Sequence, residues 1–326
     1  MTTKRLSWIF WIALLLFLLL YPHIFGAYYT NVIVIFGIFS LFALSVNLLL
    51  GFTGLLSFGH AMFFGVGAYG VALALTHIEG CPLLVALLIG IGSSFIFALI
   101  ISPILVRASG TAFAMLTLAF CMLMYTLSLK LRNITQGEDG IGGFPIPDLN
   151  ILGIVSFEMT DPVNFYYFAT AVLLISMWGL WFITKTPFGM VIISIRDNAM
   201  RVDYMGYKVV NSKALVLLVS ASFAGVAGSV YALFQNLVSS DGVFSIMTSF
   251  APLIMTVIGG VGSFFGPIVG SGVMMLLEEV VTRYTERFSL VSGIVLVLVV
   301  MFVPMGLTGV VKIAREKWVL RRAANE

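Results

Sequence analysis

Charge is scarce in this sequence: only 10% of its 326 residues are Asp, Glu, Lys or Arg, where soluble domains carry about a quarter. With 60% hydrophobic residues beside it, that scarcity excludes a soluble globular protein and implies an integral membrane one. Cysteine is equally sparse. Cys81 and Cys121 lie at or inside apolar runs, match neither a disulfide framework nor a metal spacing, and read as small hydrophobes. Ten-residue stretches of alternating polarity are missing, which excludes a transmembrane barrel. An all-α integral membrane fold follows, because backbone in lipid must be hydrogen-bonded internally. The chain also lacks GxxxxGK[ST], GxSxG, HExxH and any Cys/His cluster, so neither ATP hydrolysis nor other catalysis has support. Acidic residues avoid the middles of the apolar runs; Asp241, Glu278, Glu279 and Glu286 fall towards outer ends. A self-contained proton- or sodium-driven transporter is weakened by that, although backbone carbonyls can also bind sodium.

What is present is apolar sequence of membrane-spanning length. Runs near residues 6–25, 30–50, 61–76, 83–106, 111–129, 164–184, 214–235, 243–262, 265–281 and 288–311 predict about ten transmembrane helices. The first follows a basic start with no small-residue cleavage site after it, and reads as an uncleaved span. An even number puts both ends on one side. Lys4 and Arg5 at one end, and Lys312, Arg315, Lys317, Arg321 and Arg322 at the other, make that side the cytoplasm. On this topology 13 of 17 basic residues lie inside and ten of 14 acidic residues outside, giving an inner face near +9 and an outer face near −6. The chain is thus expected to form one transmembrane domain, 1–326, with an external loop at 130–163, a cytoplasmic loop at 185–213 and a cytoplasmic tail at 312–326. The Gly- and Pro-bearing external loop is either an ordered connector or a platform for a partner.

The cytoplasmic loop KTPFGMVIISIRDNAMRVDYMGYKVVNSK carries five basic residues against Asp197 and Asp203. Thr186–Pro187 reads as a helix start and Gly206 as its stop. Between them Phe188, Val191, Ile195, Ala199 and Val202 form a narrow apolar stripe, with Ser194, Asp197 and Arg201 opposite. Such a helix either rests on lipid headgroups or docks into a groove on a soluble partner.

Two places break apolar helices with glycine and small polar residues. The first, NLLLGFTGLLSFGHAMFFGVGAY at 47–69, contains Asn47, Gly51, Thr53, Gly54, Ser57, Gly59 and His60; the second, IGGVGSFFGPIVGSG at 258–272, contains Gly259, Gly260 and Gly262. Irregular backbone at membrane depth is tolerated where protein or a water-filled cavity covers it, so both are candidate walls of a pathway. Gly65, Gly70, Gly225 and Gly228 read instead as helix-packing faces. A lone His60, with no second ligand nearby, reads as a residue that bonds the broken backbone. Asn47, Thr53, Ser57 and Thr117 either bond neighbouring helices or line the route.

TGLLSFGHAMFFGVGAY (53–69) resembles the signature of permease subunits of branched-chain amino-acid ABC importers, of the LivM type within the permease pair. The resemblance continues in order through RASGTAFAMLTLAF (107–120), TQGEDGIGG (135–143), TPFGMVIISIRDNAMRVDYMGY (186–207), IGGVGSFFGPIVG (258–270) and MGLTG (305–309). It implies the ABC importer permease fold in a bacterial inner membrane, a chain that is not itself an enzyme, and half of a translocation pathway for branched-chain or other small neutral amino acids. Urea or short amides are the alternative cargo within the family. Implied partners are a second homologous permease, two cytoplasmic ABC ATPases that hold the ATP and Mg, a periplasmic substrate-binding protein and membrane lipid, with no nucleic acid and no cofactor on this chain. Arg196, Asp197, Asn198, Gly206 and Tyr207 match the family's cytoplasmic coupling loop, and Arg201 lies on the same exposed face. Ala199 and Met200 depart from the more polar residues expected after Asn198. Asn47, Thr53, Ser57, His60, Thr117, Gly259, Gly260 and Gly262 are the expected pathway residues.

Overall fold

A computed structural model describes residues 17–309 apart from residues 19, 25, 152–154, 286, 304 and 305. Most of the first predicted span, Lys4, Arg5, Glu286, Met305 and the basic tail lie outside the described residues. In chain order the helices are α1 (Ala27–Thr53), α2 (Ala61–His77), α3 (Leu83–Leu105), α4 (Thr111–Lys130), α5 (Arg132–Thr135), α6 (Pro162–Lys185), α7 (Pro187–Tyr204), α8 (Val209–Gln235), α9 (Ser240–Phe244), α10 (Ile246–Gly259), α11 (Gly266–Thr282) and α12 (Phe288–Phe302). Seven helical stretches among the described residues are long and apolar enough to cross a membrane, so the protein is a multi-pass membrane protein. The expected ten is not reached there, for a physical reason. Helices α2 and α11 have 17 residues each, about 26 Å of rise, against a hydrocarbon core of about 30 Å.

Helices α1, α2, α3 and α8 form the centre. Their close approach follows from small residues: a Cβ on Gly228 would strike the Phe64 carbonyl, and one on Gly67 would lie 2.7 Å from the Gly225 Cα. The Ser94 hydroxyl of α3 lies 2.9 Å from both the Phe63 carbonyl of α2 and the Ala221 carbonyl of α8, tying three helices at one point. Gly65 packs on the Phe244 ring and Gly70 on Ser93, so these glycines serve packing, as their spacing suggested. Leu88, Ile96 and Ile100 on the far side of α3 are exposed, as are eight of the 15 residues of α12.

The predicted eighth span is divided. Ser245 accepts a hydrogen bond from the Thr248 N–H and caps α10, while Ser239 caps α9 through the Gly242 N–H. Apolar content alone could not show this break, because capping serines resemble any small residue in a hydropathy pattern. The fold is also not purely helical. In the loop after α4, β1 (Ile141–Gly142) pairs antiparallel with β4 (Leu237–Val238), and β2 (Leu149–Ile151) with β3 (Val155–Phe157). Ile141, Phe144 and Met159 are buried, and the β1–β4 pairing pins the described start of this loop to the turn after α8.

Candidate functional site

The site begins where α1 stops. Gly54 adopts φ +75°, and the N–H groups of Gly54 and Leu55 turn back to the Leu50 and Leu49 carbonyls at 3.2 and 2.9 Å, an arrangement that ends a helix cleanly. It leaves the last-turn carbonyl of Gly51 facing outward. Arg196 of α7 fills that position: its Nη1 donates to the Gly51 oxygen at 2.7 Å, and a cation there also meets the negative end of the α1 dipole. The Arg196 stem packs on Gly54, where a Cβ would lie 3.0 Å from the Arg196 Cγ. Nε and Nη2 donate to Asp197 at 3.2 and 3.1 Å.

One turn before Gly51, Asn47 grips the loop between α10 and α11. Its Oδ1 accepts from the Gly262 N–H at 3.0 Å and its Nδ2 donates to the Ser263 carbonyl at 2.9 Å. Gly262 has φ +81°, and a Cβ on Gly51 would lie 2.5 Å from the Gly262 nitrogen. Helix α1 and this loop therefore touch backbone to backbone. Gly259 lies against Gly266 and Gly270 in the same way, and Thr308 donates to the Gly259 carbonyl at 2.8 Å while its Oγ1 lies 2.9 Å from the Ser263 Oγ. Hydrogen bonds thus run from α7 to the end of α1, and from α1 to the loop between α10 and α11, where the end of α10 packs against the start of α11.

Helix α7 starts as the sequence predicts, with Thr186 accepting from the Gly189 N–H and Pro187 in the first turn. It is not one helix. Asn198 is extended, φ −160° and ψ 98°, and its Oδ1 accepts from the Arg201 N–H at 3.0 Å, which caps a second short piece. Ile192 and Ile195 are buried in the first piece and Val202 in the second, so the apolar stripe is real but divided at Asn198. Beyond the kink Met200, Tyr204, Met205 and Tyr207 are exposed, Tyr204 by 85%. Gly206, φ +89°, turns the chain away.

A second polar cluster is enclosed among the central helices. Ser220 donates to the Ser45 carbonyl at 2.6 Å, and Ser45 donates to the Phe42 carbonyl at 2.7 Å. Each hydroxyl has spent its one proton, so the His60 Nε2, 3.2 Å from both oxygens, is the donor between them. His60 is fully buried and stacks on Phe42. Nearby in the chain, the Phe58 N–H donates to Thr117 at 3.2 Å and the Ala61 N–H to Ser249 at 3.2 Å. Thr117 and Ser249 therefore take these two amides at the break before α2; His60, expected to bond that backbone, instead bonds the hydroxyls of Ser45 and Ser220.

Separately, a cleft of about 240 Å³ opens between α1, α8, the α9–α10 break, α11 and α12, with Phe39, Tyr231, Met255, Met274 and Phe288 among its walls.

A family model described as "Branched-chain amino acid transport system / permease component" matches residues 28–302. The chain belongs to that family. Among its relatives, the high-affinity branched-chain amino acid transport system permease protein LivM of Salmonella typhimurium is 28% identical over 319 residues, covering 92% of this chain and 74% of the relative. LivM of Escherichia coli is 27% identical over 322 residues with the same coverage. The probable branched-chain amino acid transport permease protein LivH of Methanocaldococcus jannaschii is 25% identical over 300 residues, 86% of this chain and 90% of the relative. No solved structure matches the chain at a significant level.

In this permease the residues expected to act together fall into three places. Arg196 turns inward to α1, whereas Asp197, Asn198, Arg201, Gly206 and Tyr207 stand exposed. Asn47, Gly259, Gly260 and Gly262 build the junction of α1 with the α10–α11 loop. Thr53 is buried and donates to the Leu48 carbonyl at 3.0 Å, and Ser57, His60 and Thr117 are buried in or beside the enclosed cluster. None of the eight expected pathway residues is among the cleft walls. Sequence reading missed the Gly51 carbonyl, Ser45, Ser220, Ser263 and the cleft itself. The glycine density at 51–54 and 259–262 was the available signal for the first contact, but nothing local says that the two stretches meet.

Proposed function

We propose that this permease forms half of the translocation pathway of an ATP-driven importer for branched-chain or other small neutral and hydrophobic amino acids. A second homologous permease completes the pathway, two cytoplasmic ABC ATPases bind the ATP and Mg and drive it, and a periplasmic protein delivers substrate. The chain lies in a bacterial inner membrane with both termini cytoplasmic, folds as one permease domain and binds no cofactor of its own. The observation that carries this reading is the construction of α7. Its second piece offers exposed Met200, Tyr204, Met205 and Tyr207 to a partner, and its first piece is bonded through Arg196 to the helix that holds the α10–α11 loop. An apolar outward face on a short capped helix is what a docking ATPase needs. The inward arginine converts its movement into movement of the spans.

The names of the relatives support amino acids as cargo. The test is reconstitution of the chain with its sibling permease, the ATPases and the binding protein in vesicles. L-leucine uptake should require every component and consume ATP. Uptake by the isolated chain under an ion gradient would reject the proposal. Labelling of single cysteines should find residue 204 accessible from the cytoplasm and residue 138, exposed in the loop after α5, from outside.

A further inference from the structure

Helix α11 carries two adjacent acids in its outer part, and only one has a protein partner. Glu279 accepts from Arg283 at 2.7 Å. The Glu278 carboxylate has no hydrogen bond or ion pair among the described residues and stands at the edge of the cleft. Counted from Gly266, it lies about 18 Å along the helix, exposed and four residues before its end at Thr282. An acid at the rim of an apolar cleft, with no cationic side chain paired to it among the described residues, is a place for a ligand's cationic group.

The rest of the cleft describes that cation. Phe39, Met255, Met274 and Phe288 make its walls apolar, and methionines reshape easily around side chains of slightly different form. Another wall is the start of α10, where Met247 and Thr248 line the cleft and Ser245 takes the Thr248 N–H. The preceding first-turn N–H groups, at Ile246 and Met247, have no partner within the helix and carry its positive end. A negative wall, a positive wall and an apolar space between them match a zwitterion with an aliphatic side chain. A lipid acyl chain would leave both charged walls unmatched.

We propose that this cleft is a binding site for an aliphatic amino acid on its way through the permease. The ammonium group pairs with Glu278, the carboxylate meets the first turn of α10, and the side chain lies against the methionine and phenylalanine walls. This rests on the reading of the chain as half of an amino-acid pathway and adds where the substrate pauses.

The test uses the assembled transporter in vesicles and the apolar reagent N,N′-dicyclohexylcarbodiimide, which attacks carboxyl groups in apolar surroundings. The modified peptide is quantified by mass spectrometry. L-Leucine at about ten times its dissociation constant should slow labelling of Glu278 about tenfold, leaving Glu279 unchanged. 4-Methyl-2-oxopentanoate, which has the same side chain and carboxylate but no ammonium, should not protect. Equal protection by both compounds, protection by neither, or absence of Glu278 labelling would each overturn the inference. Labelling lost on assembly with the second permease would overturn it too, marking the cleft as a subunit contact. Glu278→Gln should lower L-leucine uptake about tenfold, the effect of losing one charged contact, while binding-protein-stimulated ATP hydrolysis persists. Normal uptake by the wild type with an unprotected Glu278 defeats this inference alone; absence of any amino-acid uptake by the complete wild-type system defeats the functional reading beneath it.

Discussion

Arg196→Met removes the guanidinium while keeping most of the stem that packs on Gly54. The charged hydrogen bond to the Gly51 carbonyl, at 2.7 Å, belongs to a class worth about 1.5–3 kcal/mol. Arg196 is 40% exposed, so screening puts the loss near the lower figure, about 1.5 kcal/mol. The bonds to Asp197 add little, because Asp197 is 65% exposed and surface pairs contribute about 0–1 kcal/mol. If this contact carries motion from α7 to α1, its loss should reduce L-leucine transported per ATP hydrolysed by about tenfold. Membrane insertion and assembly should be unchanged, since Ile192 and Ile195 still bury the helix. The assay is parallel measurement of uptake and phosphate release in vesicles, with Asp197→Asn as the comparison. Full coupling in Arg196→Met together with a clear loss in Asp197→Asn would refute the reasoning, because the work would then lie in the exposed pair.

Other substitutions test the remaining contacts. Gly259→Ala drives a Cβ into the Gly266 backbone and should lower the detergent-solubilised Tm by the equivalent of about 1–3 kcal/mol; Gly92→Ala, with open space around the new Cβ, should match or exceed the wild-type Tm. Ser94→Ala leaves the Phe63 and Ala221 carbonyls without their shared donor and should cost about 0.6–1.7 kcal/mol in the same melt. Asn198→Ala loses the cap on the second piece of α7, about 1 kcal/mol locally; ATPase coupling should fall while the global Tm stays put, and a fall in Tm with intact coupling would count against the docking role.

The sequence made the membrane class legible because charge scarcity and 20-residue apolar runs are properties of composition and length alone. Thr186, Pro187 and Gly206 were legible too, since each acts on its own backbone. The break at Asn198 was not, because asparagine caps a helix only in an extended conformation that the apolar stripe running through it gives no reason to expect. Ser245 hid the division of α9 from α10 for a similar reason. The role of Asn47 was visible only as a polar residue in an apolar run; its choice of Gly262 and Ser263 depends on where α10 and α11 return in space, 215 and 216 residues away. Glu278 could be seen as an acid near a span end, but the loneliness of its carboxylate beside the paired Glu279 needed the arrangement of the helices.

The extended residue in α7 has a mechanical corollary. A rigid rod from Pro187 to Tyr204 would hand every tilt of a bound motor straight to the bundle. The break at residue 198 separates a six-residue tip from a shaft seated on Ile192 and Ile195, so a proposed ATPase contact would turn the tip without turning the shaft. A push along the shaft would still reach Gly51 through Arg196. On the proposed reading, misalignment of a docked ATPase would be taken up at residue 198 before it reached α1.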